Sequence, residues 1–409
     1  MNFLNYSEQI LKDKDAYWTA KEICQQPQCW EAVTQQVLSD EKLSAFLQGA
    51  LATPGLRIIL TGAGTSAFAG QCLTPVLQSL LHTHVEAIPT TDLVSNPSQY
   101  FQRKTPTLIV SFARSGNSPE SVATVDIAEQ CVEQCFQLAI TCNKEGELYK
   151  RCTGEKRFAL NLPDETNDVG FAMTSSFSSM MLSALIAFMN AHSQSAKSAT
   201  TNTAESIAGA VSQITASTQA LIEQASSQLS VLAEKRYSRI VYLGSGTFRG
   251  LAQESALKML ELADGNVISF FDSPLGFRHG PKAIVNNETL VIIFLSNDPY
   301  TRQYDLDLVK ELRLDNEAGD IVVIDAQVKP TQLHSNPHTI ALTQASDLAD
   351  HYLLFPYVVC AQILALHSSI ALGNTPDNPS SSGTINRVVK GVNIYPLTLE
   401  SPSTEHGNI

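Results

Sequence analysis

The sequence predicts an α/β protein: two tandem doubly wound parallel-sheet domains behind an N-terminal helical arm. Three observations predict it: the length suits two domains, short apolar runs alternate with helical stretches, and one pattern recurs at a fixed spacing. The 409 residues exceed one ordinary domain and fit two of about 150 to 180. Hydrophobic residues make up 44% and charged residues 16%, the balance of a chain that buries cores.

The repeat is explicit. Arg57-Ile58-Ile59-Leu60-Thr61-Gly62-Ala63-Gly64-Thr65 returns 182 residues later as Arg239-Ile240-Val241-Tyr242-Leu243-Gly244-Ser245-Gly246-Thr247. At the same spacing Thr107-Leu108-Ile109-Val110-Ser111-Phe112 meets Thr289-Leu290-Val291-Ile292-Ile293-Phe294, and Phe158-Ala159-Leu160 meets Ile340-Ala341-Leu342. Three matches in one register imply two copies of one fold.

Taken in chain order, residues 1–48 read as the arm, helical from Ser7 to Gln48 with an interruption at Pro27. Residues 49–205 form the first domain, with strands near 57–61, 85–88, 107–112, 137–141 and 158–162. Phe177 to Met189 is apolar but broken by serines and too short to span a bilayer, so it is a core helix. Ser193 to Ser206, rich in Ser, Thr and Ala, is a surface connection. Residues 206–395 form the second domain. It opens with a helix that buries Ile207, Val211, Ile214, Leu221, Leu229 and Leu232, and places strands near 239–243, 267–271, 289–295, 321–325 and 339–342. Residues 396–409 are a polar tail. Continuous apolar strands separated by helices are parallel and covered on both faces. Ligands of such sheets sit beyond the strand carboxyl ends, at the switch point.

The net charge of −13 and the lack of basic clusters exclude a nucleic-acid partner and an anionic membrane surface, so any anion site has to be built locally. The eight cysteines are irregularly spaced and form no CxxC. Cys131 and Cys135 fall on one face of a predicted helix, where buried thiols outweigh a metal pair because no histidine stands at ligand spacing. Free thiols and a charged N-terminus without an apolar stretch lead us to expect a cytoplasmic protein.

Two loops of the first copy are suited to phosphate. Gly62-Ala63-Gly64-Thr65-Ser66 follows a strand, and Thr65 and Ser66 offer hydroxyls. A glycine turn alone is more often just a tight connection. Ser111-Phe112-Ala113-Arg114-Ser115-Gly116-Asn117-Ser118-Pro119-Glu120 is more specific, since donors converge on a helix start with Pro119 in its first turn. Ser118 also reads as a plain N-cap. The matching loop of the second copy, Ser296-Asn297-Asp298-Pro299-Tyr300, has lost that pattern and gained an acid. The first copy therefore holds the anion.

The second copy carries acid–base groups. Glu254, Lys258 and Glu261 share one helical face. The ordinary fate of such a trio is a solvated ladder, but Ala256, Leu257, Met259, Leu260 and Leu262 leave little of this helix polar. His279, in Phe277-Arg278-His279-Gly280-Pro281-Lys282, is held by its Gly-Pro neighbours in a manner that suits a proton shuttle, although a lone loop histidine is commonly structural.

These residues together resemble the sugar isomerase (SIS) family, and in particular the isomerase half of glucosamine-6-phosphate synthase. The likeness covers most of the chain in motif order: Lys21-Glu22-Ile23 with Gln26-Pro27, Gly64-Thr65-Ser66, Ser115-Gly116-Asn117-Ser118, Glu254 through Glu261, His279-Gly280-Pro281, Asp377-Asn378-Pro379 and Lys390-Gly391-Val392. Asn386-Arg387-Val388-Val389 is most similar to the branch of galactosamine catabolism that includes galactosamine-6-phosphate deaminases and tagatose-6-phosphate ketose/aldose isomerases.

The resemblance implies Gly64, Thr65, Ser66, Ser115 and Ser118 at the phosphate, with Thr174 in the sugar wall. It implies Glu261 moving the proton between C1 and C2, Lys258 assisting polarisation and His279 opening the ring. It places Lys390, or alternatively Arg387, in the closing loop. It also implies a homodimer or higher assembly with sites shared between subunits, because the corresponding histidine of the synthase reaches a neighbour's site. Ala113 stands at a family hydroxyl position, leaving Ser111 or Arg114 to compensate, and Met173 and Ser175 replace a serine and a lysine.

The synthase's glutamine-using domain has no room here, so the deaminating direction is expected, without metal or organic cofactor. A plain aldose–ketose isomerase needs the same groups. A non-catalytic sugar-phosphate sensor would keep the serine loop and dispense with Glu261 and His279.

Overall fold

The computed structural model describes residues 2–195, 203–328, 338–383, 385–389 and 391–398. The first sheet comprises β1 (Arg57–Thr61), β2 (His84–Ala87), β3 (Thr107–Ala113), β4 (Cys135–Thr141) and β5 (Arg157–Asn161). The second comprises β6 (Arg239–Gly244), β7 (Ile268–Asp272), β8 (Thr289–Phe294), β9 (Asp320–Asp325) and β10 (Thr339–Ala341). Their orders, β2-β1-β3-β4-β5 and β7-β6-β8-β9-β10, are the same, and every pairing within them is parallel. Arg57 pairs with Thr107 as Arg239 pairs with Thr289, so the repeat is one of register as well as sequence. Each order reverses beside its first strand, which sets a ligand crevice at the carboxyl ends of β1 and β3.

The arm contributes α1 (Tyr17–Ser39) and α2 (Glu41–Leu51). The first copy adds α3 (Thr65–Leu81), α4 (Pro119–Cys131) and α5 (Ser175–Ser195). The second adds α6 (Ala204–Glu234), α7 (Thr247–Leu262), α8 (Thr301–Asp315) and α9 (Asp350–Leu372). Every residue of α5 from Ser175 to Ala191 is buried, as expected of a core helix. Helix α9 is long and apolar enough to cross a bilayer by composition, yet its apolar stretch is wholly buried inside the protein. Arm, sheets and central helices share one hydrophobic core, in which Trp30, Phe177, Tyr242, Phe248 and Phe355 are fully enclosed.

At the centre the equivalent helices α3 and α7 pack on each other. A Cβ at Gly250 would lie 2.6 Å from the Cys72 backbone nitrogen, so no other residue fits there without displacing the neighbouring helix. The Thr247 hydroxyl donates to the Cys72 carbonyl across the same seam. This contact brings the first turn of α3, with Thr65 and Ser66, against the acid–base helix.

Two expectations fail. Helix α1 runs through Pro27 without a break. The ring removes the bond that would reach the Ile23 carbonyl, and the Gln26 side chain donates to that carbonyl instead, at 3.1 Å. Cys131 and Cys135 do not share a helix: the first ends α4 and the second begins β4. Both are free buried thiols, and no metal-binding cluster occurs among the described residues. Half of the surface connection expected at 193–206 lies outside the described residues, as do most of the polar tail and Lys390.

Candidate active site

Helix α4 starts as the serine loop predicts, with Ser118 at the N-cap and Pro119 in the first turn. The Ser118 hydroxyl does not cap a backbone N–H. It donates instead to the Ser121 hydroxyl at 2.6 Å, and both side chains face the crevice. The crevice encloses ≈ 100 Å³ and is lined by Ser66, Arg114, Ser115, Ser118, Ser121 and Met173, under Arg387, Val388 and Val389. That space suits a phosphoryl group and not a whole hexose phosphate. A larger hollow of ≈ 310 Å³ beside His82 and His192 lies at the amino ends of β1 and β2, away from the ligand side of a parallel sheet.

Beside this crevice, starting one residue before Ser66, a chain of polar groups runs into the core. Thr65 donates to Glu254 Oε1 at 3.3 Å, Lys258 Nζ lies 3.6 Å from the same oxygen, and Lys258 also donates to Glu261 Oε2. Glu254 is fully buried and Lys258 is 1% exposed, whereas the Glu261 side chain keeps 21% exposure. The solvated ladder is thereby excluded. Burial, more than the nearby Glu261, pushes the Glu254 carboxyl up to about 8, against the pull of Lys258. Burial would lower the Lys258 pKa, but the two carboxylates outweigh it and raise it. Glu254 Oε2 has no partner. A partly exposed carboxylate held in place by a buried, charged lysine can act as a proton acceptor.

Several predicted contacts fall elsewhere. Thr65 is committed to Glu254, so its hydroxyl joins the acid–base chain and does not line the crevice. Thr174 is fully buried and gives both its N–H and its hydroxyl to Asp168, so it is structural. Ser111 is buried within β3, and neither it nor Gly64 lines the crevice. His279 is exposed on a turn outside the crevice of its own chain.

Arg114 lines the crevice but spends its donors on backbone carbonyls: Gly170 and Phe171 through Nη1, and Arg387 through Nη2. Burial, then the charge of Arg387, draws its pKa down from the ordinary guanidinium value. Arg387 in turn donates to the Asp168 carbonyl.

The sequence reading missed Ser121, signalled only by its place three residues after Ser118, and the carboxylate of Asp168. That carboxylate accepts from the N–H and hydroxyl groups of Thr174, Ser175 and Ser176, starting α5. The run of hydroxyls six residues after an aspartate was the available signal.

At the corresponding strand ends of the second copy, carboxylates of the chain itself take up the loop donors. Asp305 accepts from the Ser245 hydroxyl at 2.5 Å and the Ser296 N–H at 3.1 Å. Asp350 takes the Ser296 hydroxyl and the Asn297 N–H.

Comparison with known proteins agrees with this division. The SIS domain matches residues 51–190 and again 231–368. The D-galactosamine-6-phosphate deaminase of Shewanella sp. (strain ANA-3) is 44% identical over 97% of this chain and 96% of its own. The protein of that name from Escherichia coli O157:H7 is 46% identical over 93% and 96%. Among solved structures, the tagatose-6-phosphate ketose/aldose isomerase of Escherichia coli superposes with a TM-score of 0.83 at 43% identity, covering 93% of this chain and 97% of that one.

Proposed function

The chain belongs to the SIS domain family, and on that premise we propose that it converts D-galactosamine 6-phosphate and water to D-tagatose 6-phosphate and ammonia. It is an enzyme acting on an amino-sugar phosphate. The observation that carries the reading is the buried line Thr65–Glu254–Lys258–Glu261, which starts next to the crevice-lining Ser66 and ends on a solvent-reaching carboxylate. A sensor has no use for it. Near-full-length relatives at 44–46% identity that bear the deaminase name support the same conclusion.

In this scheme Ser66, Ser115, Ser118 and Ser121 hold the phosphate. His279 opens the ring, and its exposure outside its own crevice favours a homodimer in which it serves the partner's site. Glu261 takes the proton from C2 of the open aldose and returns it to C1. Lys258 and nearby donors stabilise the cis-enolamine between these steps. The product is a C2 imine, which water hydrolyses to the ketose and ammonia. Arg387 closes the crevice, and Lys390 stands beside it in sequence. We place the enzyme in the cytoplasm with the other reactions of sugar phosphates.

Isomerisation of tagatose 6-phosphate without deamination is the second reading, favoured by the name of the Escherichia coli structure. Ammonia release from galactosamine 6-phosphate decides between them, with glucosamine 6-phosphate and tagatose 6-phosphate run in parallel. Conversion of tagatose 6-phosphate to an aldose without ammonia from either amine would leave the plain isomerase.

A further inference from the structure

The arm motif Lys21-Glu22-Ile23 has no place in the chemistry above, yet Glu22 is 3% exposed. A carboxylate is buried this deeply only where partners hold it. Its partners are backbone: the Val169 N–H at 2.5 Å and the Gly170 N–H at 3.2 Å. A Cβ at Gly170 would lie 3.0 Å from the same carboxylate, so a side chain there would crowd it. The other side of the segment faces the crevice. The Asp168 carbonyl accepts from Arg387, the Gly170 and Phe171 carbonyls accept from Arg114, and Met173 lines the cavity. Residues 168–173 thus form a strap whose amides are held by the arm and whose carbonyls hold two arginines of the crevice.

We propose that Glu22 is a positioning residue for sugar-phosphate binding, acting through the strap 168–173 on Arg114, Arg387 and Met173. It touches neither crevice nor reacting atoms. The charged groups around it are Asp168, Asp377 and, across the strap, Arg114. Burial, then Asp168, pushes the Glu22 carboxyl up to about 8, and in either charge state it keeps an oxygen that can accept the Val169 N–H. Further along the arm, Gln25 donates to the Glu165 carbonyl and the Ser175 hydroxyl, and Trp30 donates to the Ser178 hydroxyl. The Trp30 contact lies on α5 and not on the strap, which makes Trp30 a control.

The proposal rests on the sugar-phosphate reading, so the test has one arm that needs substrate and one that does not. With galactosamine 6-phosphate, Glu22→Ala should raise KM about tenfold and leave kcat within about threefold, while Glu22→Gln recovers most of the KM. Trp30→Phe should lower stability and leave KM unchanged. Without substrate, hydrogen exchange across 168–173 should quicken in Glu22→Ala. In Glu22→Gln it should quicken at Gly170 while Val169 stays protected, which keeps the test open if the alanine variant does not fold. Unchanged protection at Gly170 in both variants, or a KM that moves no more than in Trp30→Phe, overturns the proposal. A wild-type protein that releases no ammonia would sink the substrate assignment and leave the exchange result standing.

Discussion

Lys258→Met removes the charge at the centre of the buried line and nearly keeps the volume, so little cavity is added. What is lost depends on pH, because the two carboxylates beside Lys258 differ. Burial raises the folded-state pKa of Glu254 from 4.5 to about 8. Between those values the folded protein binds one proton more than the unfolded chain, and stability falls as pH rises through the window. Near pH 6 Glu254 carries its proton in wild type and variant alike. The variant then loses only the pair with Glu261, which is partly exposed and can rehydrate, a loss of about 1 kcal/mol or less. Above about pH 8 the wild-type Glu254 is ionised against Lys258, whereas in the variant it faces no cation. The penalty should then grow by about 1.4 kcal/mol per pH unit, toward the roughly 3–5 kcal/mol of a buried pair that has lost one partner. Urea unfolding of both proteins at pH 6 and pH 9 measures the difference. Equal losses at the two pH values would refute the protonation scheme.

Three further expectations concern activity. Glu261→Gln should abolish turnover while calorimetry still detects sugar-phosphate binding; retained activity removes Glu261 as the proton shuttle. Ser115→Ala combined with Ser118→Ala deletes two hydroxyl donors to a dianion, at about 1.5 kcal/mol or more each, and should raise KM roughly a hundredfold; an unchanged KM puts the phosphate elsewhere. If His279 serves the partner's site, equal amounts of inactive Glu261→Gln and His279→Gln protein, dissociated and reassembled together, should regain about a quarter of wild-type activity; no regain argues for sites complete within one chain.

The strands were legible because parallel strands buried on both faces are unbroken apolar runs, and every predicted strand lies within two residues of its observed bounds at either end. The duplication was legible for the same reason, since equal burial selects equal residues at equal register. Pro27 misled because its rescue comes from the Gln26 side chain, and sequence does not say where a side chain turns back on its own helix. Thr65 and Thr174 were expected to contact the sugar phosphate, but whether a hydroxyl faces ligand or carboxylate is settled by packing, across the two copies for Thr65 and within a local turn for Thr174. The strap escaped altogether, because its contacts use backbone atoms that every residue possesses.

Asp305 ties together the turns that end the first and third strands of the second half. Two identical cradles on one chain would take up two anions, and each could sense the other across the α3–α7 seam. A carboxylate tethered to the chain is present at an effective concentration no dissolved phosphate reaches, and it never leaves. The strand-end turns of the second half are therefore tied together at all times. That half can hold Glu254, Lys258 and Glu261 steady while the first half fills and empties.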